Sequence, residues 1–181
     1  FVYATGLDQG MTPASQIDNS SFCAYQGAQY GQKCIRGGRA GTYTLRYGLE
    51  NSQNVMTANI ANEAGMPNVI KTYERVGIGS YKPYIAFALG AGETTVEKMT
   101  NAFSTLANHG RYNDPTVIDY VQDRRGKVIW RSDKRDCEKC NMPEWDGSAM
   151  PRPGPMGHQT VDARTAFQIT HILEGVITRG T

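Results

Sequence analysis

The chain has 181 residues, four cysteines, three histidines and a formal net charge of +2. That length suits one domain with a core of its own, and the absence of any internal repeat excludes a solenoid. Scattered Lys and Arg leave no basic stripe for nucleic acid or anionic lipid, and no run approaches the ~20 apolar residues that cross a bilayer.

Phe1-Val2-Tyr3-Ala4 opens without a polar cap and runs to a stop at Asp8-Gln9-Gly10, which reads as the last turns of a helix whose start lies upstream. The first residues also lack the basic flank and apolar core of a secretory signal, so membrane attachment is expected only through a segment upstream. Residues 11–41, rich in Ser, Gln, Asn, Gly and Tyr, read as surface loops with one short strand. From Thr44 the pattern turns helical: Leu45 and Leu49 precede a break at Ser52-Gln53-Asn54, and Val55, Ala58, Ile60 and Ala61 follow it. Residues 62–65 end that second helix. Pro67 marks the start of the next, whose buried stripe is Val69, Ile70, Tyr73 and Val76 before Gly77.

The apolar run 84–89 ends in Gly90-Ala91-Gly92-Glu93. Thr94 or Thr95 then caps a helix that turns Met99, Ala102, Phe103 and Leu106 to one side and closes at Asn108-His109-Gly110. Val117, Ile118, Tyr120 and Val121 read as a strand, 123–126 as a tight turn, and Lys127-Val128-Ile129-Trp130 as the partner strand of a hairpin. Residues 132–160, charged and then rich in Pro and Gly, read as a loop insertion. Asp162 caps a long final helix with Ala166, Ile169, Ile172 or Leu173, and Val176 along one side, terminated by Gly180. The inventory is an α+β body, mainly helical, with part of a sheet.

Cys23 and Cys34 form one close pair and Cys137 and Cys140 another, compatible with local disulfides in an oxidising compartment or with inert thiols. A zinc site needs two further ligands for the Cys-x-x-Cys, and His109, His158 and His171 have no spacing that joins them to it. Gly90 and Gly92 lack the strand, helix and Lys of a phosphate loop and read as turn glycines. No Gly-x-Ser-x-Gly elbow is present. Ser52-Gln53-Asn54 is the polar cluster of most interest, because Ser and Asn two positions apart in an interhelical turn can both face one cleft. There the hydroxyl can relay a proton and the amide can hold a carbonyl. By spacing alone, a helix cap with Ser52 as N-cap and Asn54 as a second cap is the plainer reading.

Phe1-Val2-Tyr3-Ala4 with Gly10-Met11-Thr12-Pro13-Ala14-Ser15 resembles the stretch that follows the Ser-x-x-Lys-Pro nucleophile motif of class A, bifunctional penicillin-binding proteins. Thr44-Leu45-Arg46-Tyr47-Gly48-Leu49 before Ser52-Gln53-Asn54 is similar to that family's approach to its Ser-x-Asn motif, with Gly48 where Ala is usual. The likeness continues through 89–95, 101–110 and 166–177, and ends at Arg179-Gly180-Thr181. Parts of 17–41 and the 132–160 loop have no counterpart.

The resemblance implies residues 1–181 as the middle of a serine transpeptidase domain, with the nucleophilic serine and lysine before Phe1 and the Lys-Thr-Gly strand after Thr181. It implies Ser52 and Asn54 as site residues and no cofactor or metal. The implied location is the periplasmic face of the bacterial inner membrane, with a glycosyltransferase domain upstream. Stem peptides of peptidoglycan, β-lactams and the flanking segments of the same protein are the implied partners. A catalytically silent cell-wall-binding relative, a D,D-carboxypeptidase or β-lactamase-like hydrolase, and a purely structural module are the alternatives, the last expected to lack a cleft beside Ser52.

Overall fold

The computed structural model describes residues 1–25, 27–29, 31–132, 144, 146–149 and 156–180. Its elements in chain order are α1 (Val2–Asp8), β1 (Gln16–Asp18), β2 (Phe22–Tyr25), β3 (Gln32–Ile35), β4 (Thr42–Thr44), α2 (Leu45–Glu50), α3 (Asn54–Ala64), α4 (Met66–Arg75), α5 (Ile85–Ala88), α6 (Val96–Ala107), β5 (Arg111–Tyr112), β6 (Tyr120–Gln122), β7 (Val128–Arg131), β8 (His158–Gln159) and α7 (Ala163–Arg179). They divide into two units, Phe1–Tyr112 with Gln159–Thr181, and Asn113–His158. Among the described residues no helix is long and apolar enough to cross a membrane.

In the first unit, α1 is buried from Val2 to Leu7 and packs on α3, α4 and α7. Val, Tyr, Thr and Gly are weak helix formers, so burial on every side, and not propensity, holds this short helix. Its polar groups are met internally: Thr5 Oγ1 donates to Thr72 Oγ1 at 2.8 Å, and Asp8 Oδ1 accepts from Thr165 at 2.6 Å. Gly6 permits the fit, since a Cβ there would lie 2.9 Å from Ile60 Cγ2.

The segment expected to hold one short strand holds three. β1 pairs antiparallel with β4 (Ile17 opposite Tyr43), and β2 pairs with β3, where Cys23 lies opposite Cys34 in a disulfide. These strands are three or four residues long and mostly exposed, so they lack the apolar alternation that marks a strand in sequence. Cys137 and Cys140 lie outside the described residues.

Several helix boundaries differ in detail from expectation. Thr95, and not Thr94, caps α6, while Thr94 Oγ1 donates to Ile78 O. Thr105 occupies the buried stripe of α6 and Phe103 is half exposed, packing edge-on against Phe1 at 5.2 Å. In α7 the inward residue is Ile172, with Leu173 only packed against the core's edge. Gly180 does not end α7 in the left-handed region, for its φ is −90°. It is glycine for space: a Cβ there would collide with Glu50 O and lie 2.8 Å from Val176 Cα.

Glu50, the last residue of α2, is 5% exposed and joins α2 to α7. Arg179 donates to both its carboxylate oxygens, at 3.0 and 2.7 Å, and Arg46 reaches it at 3.4 Å. The Arg179 hydrogen bonds, assisted by both positive charges and opposed by burial, hold the Glu50 carboxyl below its ordinary 4.5. Gly175 gives the carboxylate its place, because a Cβ on that residue would meet Glu50 Oε1 and lie 2.5 Å from Cδ.

In the second unit β6 and β7 form the expected hairpin, with Val121 opposite Trp130 and an irregularity between Val121 and Gln122. The strand is shorter than expected, and Val117 and Ile118 precede it. Asp123 Oδ1 closes the turn by accepting from the backbone N–H of Arg125 and Lys127 at 2.8 and 3.0 Å. Most of the 132–160 insertion lies outside the described residues.

Two outcomes follow for stability. The Glu50 carboxyl titrates lower in the folded state, so its contribution is complete above about pH 4.5 and fades as pH falls through the depressed value. Thermal melts against pH are expected to show parental protein losing its advantage over Glu50→Gln across that acidic window. Gly175→Ala is expected to lower the melting temperature although Ala is better than Gly in a helix by about 1 kcal/mol, and to flatten the same pH dependence. Secondly, the Cys23–Cys34 bridge closes a loop with a sequence separation of 11, worth up to about 3 kcal/mol in chain entropy. A Cys23→Ser, Cys34→Ser double variant is expected to melt lower, and peptide mapping of oxidised protein is expected to find no alkylated thiol at either position.

Candidate functional site

The Ser52 turn is built from the way helices end in this fold. In α1, α4 and α5 the second residue past the helix adopts the left-handed conformation, and each time it is glycine: Gly10, Gly77 and Gly90. Two backbone bonds close each end, for example Gly10 N to Leu7 O at 3.1 Å and Met11 N to Gly6 O at 3.0 Å. This is the Schellman ending, in which glycine avoids the clash between Cβ and the following carbonyl. Helix α2 ends with the same pair of bonds, Ser52 N to Leu49 O at 3.2 Å and Gln53 N to Gly48 O at 2.9 Å. Here the left-handed position is Ser52, with φ of 49°. Among the described residues His109 is the other non-glycine with positive φ.

That geometry overturns the helix-cap reading. Ser52 lies past the end of α2 and is not the N-cap of α3; that position is Gln53, which makes no side-chain cap bond. Asn54 is the first residue of α3, not a second cap. Both side chains are exposed and line one cleft of about 450 Å³. A cleft does form beside Ser52, so the observation that would have favoured a purely structural module is not met.

Elements distant in sequence supply the rest of the cleft. Phe1, Val2 and Tyr3 come from the start of α1, Thr57 from α3, Tyr73 from α4, and Phe87 from α5. Tyr3 Oη and Thr57 Oγ1 are hydrogen-bonded at 3.1 Å, which ties α1 to the first turn of α3 just behind Asn54. Gly48 suits this contact: a Cβ at 48 would lie 2.9 Å from Tyr3 Oη and from Met56 Cε. Gly90 is the turn glycine expected, while Gly92 shapes the wall, since a Cβ there would come within 2.8 Å of the Tyr81 ring.

Burial pushes the Tyr3 phenol up to about 12, only partly offset by its hydrogen bond to Thr57. Burial, with Tyr81 nearby, pushes Tyr73 up to about 12 as well. Both stay protonated near neutral pH and serve as wall and hydrogen-bond donor, not as base. No Asp, Glu, Lys, Arg or His side chain is among the described residues lining the cleft. Ser52 and Asn54 thus present a hydroxyl and an amide at an aromatic-walled opening, able to relay a proton and to grip a carbonyl.

Sequence reasoning singled out Ser52 and Asn54 but missed Tyr3, Thr57, Tyr81 and Gly92 as parts of the same cleft. Only Tyr3 carried a local signal, as a polar-tipped residue in the otherwise apolar opening run. The three histidines are not in the cleft lining. His171 Nδ1 lies 3.1 Å from the guanidinium Nη2 of Arg46, and His109 O accepts from Gln159 Nε2. Among the described residues there is no cluster of His, Cys, Asp and Glu able to hold a metal ion.

Penicillin-binding protein 1A of Rickettsia bellii is 33% identical to this chain over 187 residues, covering 100% of it and 24% of that protein. The chain therefore spans about a quarter of the length of the curated relatives it matches. The crystal structure of penicillin-binding protein 1A from Haemophilus influenzae superposes with a TM-score of 0.78 at 23% identity, covering 99% of this chain and 29% of that one. Penicillin-binding protein A of Mycobacterium tuberculosis, solved as an imipenem acyl-enzyme complex, shares the fold at a TM-score of 0.72 and 12% identity, covering 99% of this chain and 42% of that one. The family model for the penicillin binding protein transpeptidase domain matches residues 1–181, and with that the chain belongs to the penicillin-binding protein transpeptidase family.

Proposed function

We propose that the protein carrying this chain is a peptidoglycan D,D-transpeptidase that works by serine acylation, and that this chain supplies its Ser-x-Asn element. The observation that carries the reading is the place of Ser52: a serine accepts the left-handed position that glycine fills at the equivalent ends of α1, α4 and α5, and unlike His109 at the end of α6 it does so at a cleft that Asn54 also lines. Such strain costs about 1 kcal/mol or more and tends to mark functional sites. Family membership supports the same reading, while the share of the relatives covered leaves the nucleophile to flanking segments.

In this mechanism a serine upstream of Phe1, in a Ser-x-x-Lys segment, attacks the carbonyl carbon of the penultimate D-Ala of a stem peptide. The carbon–nitrogen bond to the terminal D-Ala breaks, leaving an acyl-enzyme, and an amine of a neighbouring peptide then takes the acyl group. The serine's proton must reach the leaving nitrogen. The Ser52 hydroxyl gives and receives protons and is the relay, while the Asn54 amide holds the peptide carbonyl of the substrate. A Lys-Thr-Gly strand downstream of Thr181 completes the site. β-Lactams enter the same path as acyl analogues. The working location is the periplasmic face of the bacterial inner membrane, reached through an upstream membrane segment.

The test is acylation by a labelled β-lactam in the full-length protein, paired with a melting curve for each variant. Ser52→Ala is expected to slow acylation by about 10²-fold or more, and Asn54→Ala to weaken pre-covalent binding as well as slow the reaction. Ser52→Gly separates strain from chemistry: it is expected to acylate as slowly as Ser52→Ala yet to gain up to about 1 kcal/mol of stability, the gain limited by glycine's freedom in the unfolded chain. Parental acylation in folded Ser52→Ala and Asn54→Ala would sink the proposal. Residues 1–181 alone are expected to take up no covalent label.

A further inference from the structure

Glycine holds a left-handed turn by itself, whereas Ser52 must be held there. The side chain of Gln53 spans the turn: its Nε2 donates to Asn51 O at 2.7 Å, across Ser52. Its Oε1 accepts from Asn19 Nδ2 at 2.9 Å. Asn19 is 1% exposed, and the same Nδ2 donates to Arg39 O at 3.0 Å, while its backbone N–H donates to Gly41 O at 2.8 Å. The amide is therefore fixed by the 36–41 loop on one side and grips the middle residue of the motif on the other.

Two features set this amide apart from ordinary filling. Asn19 Oδ1 is buried with no partner among the described residues, an arrangement that an apolar residue of similar size would avoid. What an apolar residue lacks is a donor for Gln53. In addition, Gly38 has φ of 75°, and a Cβ on it would collide with Gln53 Oε1 and lie 2.9 Å from Asn19 Nδ2. The loop thus closes over the contact at the one residue type that leaves it room.

We infer that Asn19 and Gln53 are positioning residues that hold Ser52 in its left-handed conformation and so set how Ser52 and Asn54 meet the substrate; the inference rests on the acylation reading above. Neither residue is among those lining the cleft. Both act through the turn, so their loss is read in the acylation step and not in folding alone.

The experiment uses the full-length protein and a fluorescent penicillin, with rapid mixing to separate the pre-covalent dissociation constant from the acylation rate constant, at a temperature where melting curves find every variant folded. Gln53→Met keeps length and removes both side-chain bonds; it is expected to lower the acylation rate constant by about 10- to 100-fold, the order that small misplacement produces, with a smaller change in dissociation constant. Gln53→Glu retains an acceptor for Asn19 and is expected to recover part of that loss. Asn19→Ala leaves the Gln53 bond to Asn51 O and is expected to slow acylation by no more than Gln53→Met does, and the double variant to be no slower than Gln53→Met, because both act on one clamp. Asn59→Ala is the control: Asn59 Nδ2 donates to Asp18 O at 3.0 Å and so anchors the end of β1, next to Asn19, without a bond to the turn, so it is expected to acylate at the parental rate. Parental acylation in folded Gln53→Met, or equal slowing in Asn59→Ala, overturns the clamp. If Ser52→Ala is slow while Gln53→Met is fast, the clamp alone has failed; if Ser52→Ala is also fast, the acylation reading has failed with it.

Discussion

Six consecutive residues of α1, Val2 to Leu7, are buried, and a helix so short with no outward face has to be enclosed by its neighbours. α3, α4 and α7 do this, and each is tied to α1 by a polar contact as well as by packing. Thr57 of α3 meets Tyr3, Thr72 of α4 meets Thr5, and Thr165 of α7 meets Asp8. Buried hydroxyls are tolerated only when paired, so the bonds of Tyr3 and Thr5 help fix how far along and around α1 its neighbours sit. The cleft follows from that arrangement, because its floor is the start of α1 and its rim is the turn into α3.

The rim is steady because α2 is held at both ends. At its start Thr44 Oγ1 accepts from Tyr47 N at 3.2 Å, and β4 leads into the helix while paired with β1. At its end Glu50 is bound by Arg179 of α7 and Arg46 of its own helix. Ser52 lies two residues further on. The close approach of Glu50 to α7 requires glycine at 175 and 180, and the approach of Tyr3 to α2 is matched by glycine at 48. Glycine inside a helix is unfavourable by roughly 1 kcal/mol; among the described residues the three within helices, Gly6, Gly48 and Gly175, stand where another group occupies the space of a Cβ.

Stability and chemistry pull in opposite directions at Ser52. A glycine would suit the backbone better, as at Gly10, Gly77 and Gly90, but glycine has no hydroxyl to offer the cleft. A strained residue of this kind persists only where its surroundings over-determine it, and the surroundings here are the two Schellman bonds and the side chain of Gln53.

The helices were largely legible from the sequence, because a 3.6-residue apolar period survives without knowledge of the partner: Val69, Ile70 and Tyr73 in α4 and Ala166, Ile169 and Ile172 in α7 are buried as the period requires. The caps at Asp162 and the turn at residues 123–126 were legible too, since one side chain and its own backbone make them. Strands β1 to β3 were not, for their residues are mostly exposed and their pairing joins positions that local pattern does not connect, although the closeness of Cys23 and Cys34 in sequence left a local disulfide open. The motif residues Ser52 and Asn54 could be picked out as polar residues breaking an apolar pattern. Whether they capped a helix or faced a cleft could not, because that depends on which helix Ser52 belongs to and on aromatic side chains from α1, α4 and α5. The sequence by itself determined the periodicities, the caps and the order of the motif segments, all of which depend on residues a few positions apart. Only the tertiary structure decided the left-handed serine, the glycines at Glu50, the enclosure of α1 and the grip of Asn19 on Gln53, because each is a contact between residues whose proximity exists only after folding.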